Sequence, residues 1–220
     1  MDLTPSRLTP THQDLVLDAS ALINLLGTGR SEIILRALNR TVKVDEIAFS
    51  EVTIDPFTMK SPAGVLSELR KLNLIEVVSM NKDAYEVFIG LTGADPPDDL
   101  GDGESATLAQ AASCNCAAVI DERKATRIAG TQFASVALLN SLDLLAAPEM
   151  FQAHNRETVV EAIYHALHNA RMRVRQTERA WIVALLGNDR ASECPSLGLP
   201  SGHGVSTLGK IASSENATNT

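Results

Sequence analysis

The stretch LVLDASALINLL, residues 15–26, decides how the rest of the chain is interpreted. Its first three residues form an apolar run that predicts a short buried strand, and Leu22, Leu25 and Leu26 have the spacing of one helix face. Asp18 stands between these two elements. A carboxylate at the end of a buried strand is costly unless its charge is compensated. Asp18 therefore either caps the helix or belongs to a functional site.

The composition fits one globular domain of ordinary size with an appendage. Of the 220 residues, 45% are hydrophobic and only 4% are aromatic, so aliphatic side chains must fill the core. The formal net charge of −8 excludes a polybasic, histone-like binder of nucleic acid. It does not exclude a nuclease, because metal-binding carboxylates make the site of such an enzyme locally acidic.

We expect a cytoplasmic protein with no targeting segment and no membrane partner. The first 13 residues contain no apolar signal region, and no run approaches the roughly 18 apolar residues of a membrane span. The three cysteines, an odd number, predict reduced thiols. Cys114 and Cys116 lack a second Cys or His pair at zinc-finger spacing, so we interpret them as ordinary thiols.

Short apolar runs alternate with helical segments of about ten residues. The predicted strands lie in DLVLD, TVKV, LIEVVSM and AAVI, with a final short strand or turn in FASVALLNSLDLLAA. Such alternation indicates βαβ units and a mostly parallel sheet. The predicted fold class is therefore α/β.

The chain divides into four predicted regions. Residues 1–13 are expected to be a flexible arm and residues 14–150 the α/β domain. Residues 151–188 are expected to form a helical extension, as one long helix or a helical pair over 156–187, with a local basic segment. Residues 189–220 are rich in Ser, Gly, Asn and Thr and predict a disordered tail.

Acidic residues stand where the predicted strands end. Asp18 follows LVL, Asp121 follows AAVI, and Glu51 follows the strand TVKV after a short helical segment. Glu104 and Asp102 stand at the start of the helix that leads to the AAVI strand. In a parallel sheet with helical crossovers the carboxyl ends of the strands share one edge, where ligands bind. These acids are therefore expected to converge.

Converging carboxylates repel one another and raise each other's pKa values. A divalent cation would neutralise such a group, and all-oxygen ligands suit Mg²⁺ or Mn²⁺. A cation of this kind can activate a water molecule and stabilise charge on a phosphodiester. The pattern therefore points to phosphodiester hydrolysis.

Three blocks carry a family resemblance. LVLDASALINLL, LGDGESATLAQAA and AVIDERKATRIA, in that order, resemble the signature blocks of the PIN domain family, in its prokaryotic, toxin-like branch. The segment IAFSEV is similar to the middle acidic block of that branch. The resemblance covers about residues 14–147. The acidic loop DPPDD, the unclear small-polar segment in GTQFASVALL and the chain after residue 150 depart from the family pattern.

The resemblance implies a PIN-like three-layer α/β/α fold and a ribonuclease that uses Mg²⁺ or Mn²⁺. It implies catalytic roles for Asp18, Glu51, Glu104 and Asp121, of which all but Glu51 would bind the metal. Ser20 resembles the hydroxyl residue beside the first acid and would orient a carboxylate or a water. The resemblance further implies an RNA substrate and, in a toxin–antitoxin pair, an antitoxin protein as partner.

Several residues have a second interpretation. Asp102 is either an accessory site residue or the N-cap of its helix, and Asp121 could likewise be a cap. Glu51 could face solvent. The basic residues Arg123, Lys124 and Arg127 either bind RNA phosphates or form a solvated charged face.

Three functions follow. The leading hypothesis is a metal-dependent endoribonuclease, as a homodimer associating through exposed apolar positions of residues 157–186. The second is a catalytically inactive PIN-like module that binds RNA or a protein. The third, a phosphoacceptor domain of the response-regulator type, is disfavoured because no lysine stands between Lys124 and Lys210.

Overall fold

The computed structural model describes residues 5–199, whose strands form one parallel sheet in the order β3-β2-β1-β4-β5. The strands are β1 (Asp14–Leu17), β2 (Thr41–Asp45), β3 (Glu76–Val78), β4 (Ala117–Val119) and β5 (Leu138–Leu139). The central strand β1 pairs with β2, with Leu15 opposite Val42, and with β4, with Val16 opposite Ala118. The predicted parallel α/β sheet is confirmed.

Helices connect the strands. The first half of the chain forms α1 (Ala19–Gly27), α2 (Ser31–Leu38), α3 (Glu46–Ser50), α4 (Ala63–Lys71) and α5 (Lys82–Thr92). The second half forms α6 (Asp102–Cys114), α7 (Arg123–Gln132), α8 (Ser141–Leu145), α9 (Pro148–Ala153), α10 (Arg156–His168), α11 (Arg179–Leu186) and α12 (Asn188–Ser192). Within residues 5–199, no helix combines the length and the apolarity that crossing a membrane requires.

Each face of the sheet has its own buried core. Leu15 and Leu17 belong to one apolar cluster and Val16 to the other, because successive side chains of a strand point to opposite faces. The helices α5, α6 and α7 cover the Val16 face, to which they contribute Leu108 and Ile128. The helices α1, α2, α4 and α8 to α11 cover the other face. This is the predicted three-layer α/β/α arrangement.

The C-terminal extension packs on the same core as β1. It forms a helical pair, α10 and α11, separated by the non-helical segment 169–175 and a short 3-10 helix, Gln176–Glu178. Ile163, Leu167 and Ile182 are fully buried in this core. These three side chains are not accessible to a second copy, whereas other apolar residues of α10 and α11, such as Val160 and Trp181, are only partly buried, so the homodimer stays a prediction.

The predicted flexible arm, 1–13, and disordered tail, 189–220, are packed against the domain in the parts that the structure describes. Leu8 is buried in the core, and Arg7 bonds to the buried Asp143, so residues 5–13 are not a free arm. Ala191 and Leu197 are buried, the latter in the 3-10 helix Pro195–Leu197, so residues 189–199 are not a disordered tail. Those expectations were wrong because a few apolar residues anchor each segment. The remainder of the predicted arm and tail, residues 1–4 and 200–220, lies outside the described residues.

The expectation of three reduced thiols is also corrected. Cys114 and Cys116 form a disulfide, and Cys194 is free and buried. Asn115 lies between the bonded pair in a left-handed conformation, with φ 52° and ψ 40°, where α6 ends. This reversal brings the two Cα atoms to 5.3 Å, a separation that a disulfide can span.

Candidate active site

Asp18 is a buried carboxylate at the junction of β1 and α1. It is the N-cap of α1, where it accepts hydrogen bonds from the Ala19 backbone N–H at 2.7 Å and the Ser20 hydroxyl at 2.6 Å. Its side chain and backbone are only 3% exposed. Burial raises the pKa of Asp18 to about 6, and the negative charge of Glu104 contributes to this rise. Capping and a place in the candidate site are therefore compatible roles.

Glu104 and Glu51 meet at the beginning of α6. Glu104 lies in the first turn of that helix, and the Glu51 carboxylate lies against the Gly103 backbone, whose N–H favours its charged form. A β-carbon at position 103 would lie 2.6 Å from a Glu51 carboxylate oxygen, so this close approach depends on glycine. Glu51 as a residue is exposed to solvent, but partial burial of its carboxylate raises its pKa, and the charges of Glu104 and Asp102 raise it further. Glu51, Asp102 and Glu104 are therefore close enough to influence one another's charge.

The alternative cap assignments are settled by the helix ends. Gly101 is the N-cap of α6, so Asp102 is the exposed first residue of that helix and not its cap. Glu122, and not Asp121, caps α7, because its side chain accepts from the backbone N–H groups of Lys124 and Ala125. Asp121 is thereby available for another role.

Asp121 lies just beyond β4 and is held by neutral hydrogen-bond donors. It accepts from the Ser141 backbone N–H at 3.0 Å, from the Ser141 hydroxyl and from the Asn24 amide at 2.7 Å. Burial raises the pKa of Asp121, while these hydrogen bonds and the positive charge of Arg175 lower it in part. Ser141 was not predicted from the sequence. The available signal was a small polar residue two positions after the last strand, at the sheet edge where the acids lie.

Asp121 and Glu104 line one cavity, which we call the carboxylate cavity, of about 340 Å³. The rest of its lining is formed by Ser20, Ile23, Asn24, Glu122, Ala170, Arg171 and Arg173. Asp18 and Glu104 repel each other, as do Glu51 and Glu104, and Asp121 shares the cavity with Glu104. The four predicted acids thus lie around one edge of the sheet. Within residues 5–199, however, no three His, Cys, Asp or Glu side chains are grouped closely enough to hold a metal ion.

The chemistry of the donors fits a hard divalent cation, even though no three-ligand group is preformed. Of the predicted acids, Asp18, Glu51, Asp102, Glu104 and Asp121 all lack an ion pair within the described part of the chain. Burial raises the pKa values of Asp18 and Asp121, and neither carboxylate forms an ion pair that would offset it fully. Carboxylate and hydroxyl oxygens are the donors that Mg²⁺ and Mn²⁺ prefer.

The three basic residues expected to bind RNA differ in their surroundings. Lys124 is paired with Asp99 at 2.9 Å, and Arg127 with Asp98 at 2.7 Å, so the acidic loop before α6 neutralises both. Arg123 forms no ion pair within residues 5–199 and lines a second cavity beside Asp121. Of the three residues, Arg123 is therefore the one whose charge is available to an anion.

One comparison with known proteins gives a match. A family model described as a PIN domain matches residues 14–188. The matched region contains the whole sheet, all the acids named above and the helices α10 and α11. No curated protein matches the chain.

Proposed function

Because this chain belongs to the PIN domain family, whose members are generally nucleases, we propose that it is an endoribonuclease that depends on Mg²⁺ or Mn²⁺. The observation that carries the proposal is a set of carboxylates with no ion pair among the described residues, at the carboxyl end of the parallel sheet. Asp18, Glu104 and Asp121 would hold the metal, and Glu51 would assist from its position beside Glu104.

Each side chain has a defined part in this proposal. Ser20 orients the Asp18 carboxylate, and Ser141 and Asn24 hold that of Asp121. When bound, the metal supplies an activated water and neutralises charge that develops on the phosphodiester. No side chain is required as a covalent nucleophile, and the expected products carry a 5′-phosphate and a 3′-hydroxyl.

The proposal is tested with single-stranded RNA and protein stripped of metal by a chelator. Cleavage should be absent in the stripped protein and should return on addition of Mn²⁺. Glu104→Gln should lower the rate at least tenfold, because each metal ligand contributes to charge stabilisation worth several kcal/mol in total. The matched control is Glu157→Gln, since Glu157 is an exposed glutamate in the first turn of α10 and lines neither cavity. Cleavage that persists at full rate in the stripped protein, or in Glu104→Gln, would refute the assignment.

A catalytically inactive module is the second candidate, and one observation favours it. The described residues do not preassemble three metal-binding side chains. Such a module would bind RNA or a protein with no carboxylate-dependent response to Mn²⁺. Titration of the stripped wild type and of Glu104→Gln with Mn²⁺ therefore separates the two candidates.

The biological setting completes the proposal. We place the enzyme in the cytoplasm as the toxin of a toxin–antitoxin pair, with RNA as substrate and an antitoxin protein as partner. A homodimer would have to use a surface other than the buried apolar residues of α10 and α11. Exposed apolar side chains lie elsewhere, among them Ile54, Phe57, Met59 and Tyr85.

A further inference from the structure

A second cavity, of about 480 Å³, lies beside Asp121 and is lined by four arginines, so we call it the arginine cavity. Arg123 comes from the beginning of α7, Arg173 and Arg175 from the segment 169–175, and Arg179 from the beginning of α11. The rest of the lining is formed by Ile120, Asp121, Thr126, Asn140, Val174 and Ser196. Asp121 also lines the carboxylate cavity, so the two cavities adjoin.

Two of the four positive charges in the arginine cavity are not compensated by carboxylates. Arg173 pairs with Glu122 at 3.0 Å, and Arg175 with Asp143 and Glu178. Within residues 5–199, Arg123 and Arg179 form no ion pair. The one acid in the lining, Asp121, is engaged by neutral donors, as described above. The cavity is therefore suited to an anion.

Two buried donors in the lining lack hydrogen-bond partners. Arg179 Nε and Ser196 Oγ are buried, and neither finds a partner within the described ranges of the chain. A buried polar atom without a partner is destabilising, so these two donors favour a ligand that can accept hydrogen bonds from them. An oxyanion, with several acceptor oxygens, can satisfy a guanidinium N–H and a hydroxyl at the same time.

The arginine cavity is held in place before any ligand arrives. The Arg175 guanidinium is fixed by Asp143 at 2.9 Å and Glu178 at 2.8 Å, and Asn140 donates to Glu178 at 3.0 Å. Asp143 and Glu178 are both buried. Preorganised donors lower the entropic cost of binding, so the fixed position of Arg175 favours binding of an anion.

From these observations we infer that the arginine cavity binds a phosphate group of a single-stranded RNA. A strand that crosses Asp121 would place one phosphate in the arginine cavity while a neighbouring phosphodiester lies at Glu104 and Asp121. The bound group is either a 5′-terminal phosphate monoester or an internal diester, which present the same oxygens to the arginines. The choice of RNA rests on the proposed function, whereas anion binding rests on the arginines alone.

The test measures binding without metal, so that it does not depend on cleavage. Two decaribonucleotides labelled with fluorescein at the 3′ end, one with a 5′-phosphate and one with a 5′-hydroxyl, are titrated with protein in EDTA at constant ionic strength. The double variant Arg123→Gln/Arg179→Gln should bind at least tenfold more weakly than the wild type, since charge-assisted hydrogen bonds to phosphate are lost. Inorganic phosphate should displace the RNA from the wild type more effectively than chloride does.

The matched control is Arg156→Gln. Arg156, like Arg179, is the first residue of a helix and has no ion pair among the described residues, but it lies outside the arginine cavity. It should bind RNA as the wild type does, and thermal melts establish that all variants are folded. Tighter binding of the 5′-phosphorylated RNA would identify the monoester as the ligand, and equal binding the internal diester.

The outcomes separate this inference from the proposed function. Undiminished binding by the folded double variant, or an equal loss in Arg156→Gln, would overturn the arginine cavity as a phosphate site. If arginine-dependent binding is found but RNA is not cleaved with Mn²⁺, the nuclease proposal fails and the phosphate site stands. If cleavage occurs and the double variant binds normally, only the phosphate site fails.

Discussion

Asp18→Asn is expected to lower the rate of RNA cleavage by roughly three orders of magnitude and to leave the fold intact. The asparagine keeps the shape and can still accept the Ala19 N–H bond that caps α1. It removes a negative charge that the proposed mechanism uses to hold the metal, and loss of several kcal/mol of transition-state stabilisation corresponds to such a factor. Single-turnover cleavage at saturating Mn²⁺ measures the effect.

The same variant should be more stable than the wild type in the absence of metal. Burial raises the pKa of Asp18 from 3.8 to about 6, so the folded protein holds its proton where the unfolded chain has released it. The wild type therefore loses up to about 3 kcal/mol of the free energy of unfolding as the pH rises from about 4 to 6, and no more above that. Asp18→Asn carries no such charge and should lack this loss.

Urea unfolding at pH 4 and pH 8 in EDTA tests the stability difference. The free energy of unfolding of Asp18→Asn should exceed that of the wild type at pH 8, and the difference should be much smaller at pH 4. Mn²⁺ should reduce the difference because it stabilises the wild type. A variant that cleaves RNA at the wild-type rate would remove Asp18 from the site. A variant less stable than the wild type at pH 8 would show that capping outweighs the cost of burying the charge.

Asp143→Ala is expected to destabilise the protein by about 1.5–3 kcal/mol, the typical contribution of hydrogen bonds to a charged group, because Asp143 is buried while its arginine partners are partly exposed. Asp143 is 1% exposed and accepts hydrogen bonds from the side chains of Arg7 and Arg175 and from the Asn140 backbone N–H. Its loss would leave Arg175 and the anchored residues 5–8 without their shared partner. Arg175, which lines the arginine cavity, would then be held by Glu178 alone.

The pH dependence provides a second check on Asp143. Burial alone would raise the pKa of Asp143, but the hydrogen bonds from Arg7 and Arg175 outweigh it and lower the pKa below its ordinary value. The stabilisation is therefore present above the pKa of the unfolded chain and is lost as the pH falls through the lower, folded value. Asp143→Ala has no such carboxylate, so its free energy of unfolding should fall less in acid than that of the wild type.

Equilibrium unfolding in urea compares Asp143→Ala with a matched control, Asp83→Ala. Asp83 also lies in the first turn of a helix, α5, but it is exposed and has no ion pair among the described residues. Asp83→Ala should lower the free energy of unfolding by less than about 1 kcal/mol. Equal effects of the two substitutions would contradict the role assigned to the buried network.

The position of the acids could be predicted because a parallel sheet leaves little choice. Strand alternation sends the carboxyl ends of β1 and β4 to one edge, so Asp18 and Asp121 follow from the pattern alone. Their detailed coordination could not be predicted. Ser141 and Asn24 reach Asp121 from distant parts of the chain, and only packing shows that they hold it.

The sequence predicted a basic segment here but not the arginine cavity, because the sequence over 169–175 was interpreted as helix. Met172 and Val174 are buried while Arg171 and Arg173 are exposed, an alternation with the period of extended chain and not of a helix. Arg171 also adopts a left-handed conformation, with φ 55°. The alternating apolar residues were the available signal, but the apolar positions of α10 and α11 on either side concealed it.

The central claim is that Asp18 and Glu104 share a divalent cation. Crystals soaked in Mn²⁺ and measured near the manganese absorption edge test it directly. We expect an anomalous peak within about 2.0–2.5 Å of carboxylate oxygens of both residues, and no such peak in crystals of Asp18→Asn. No peak at these carboxylates, or one confined to the acidic loop at residues 95–99, would contradict it.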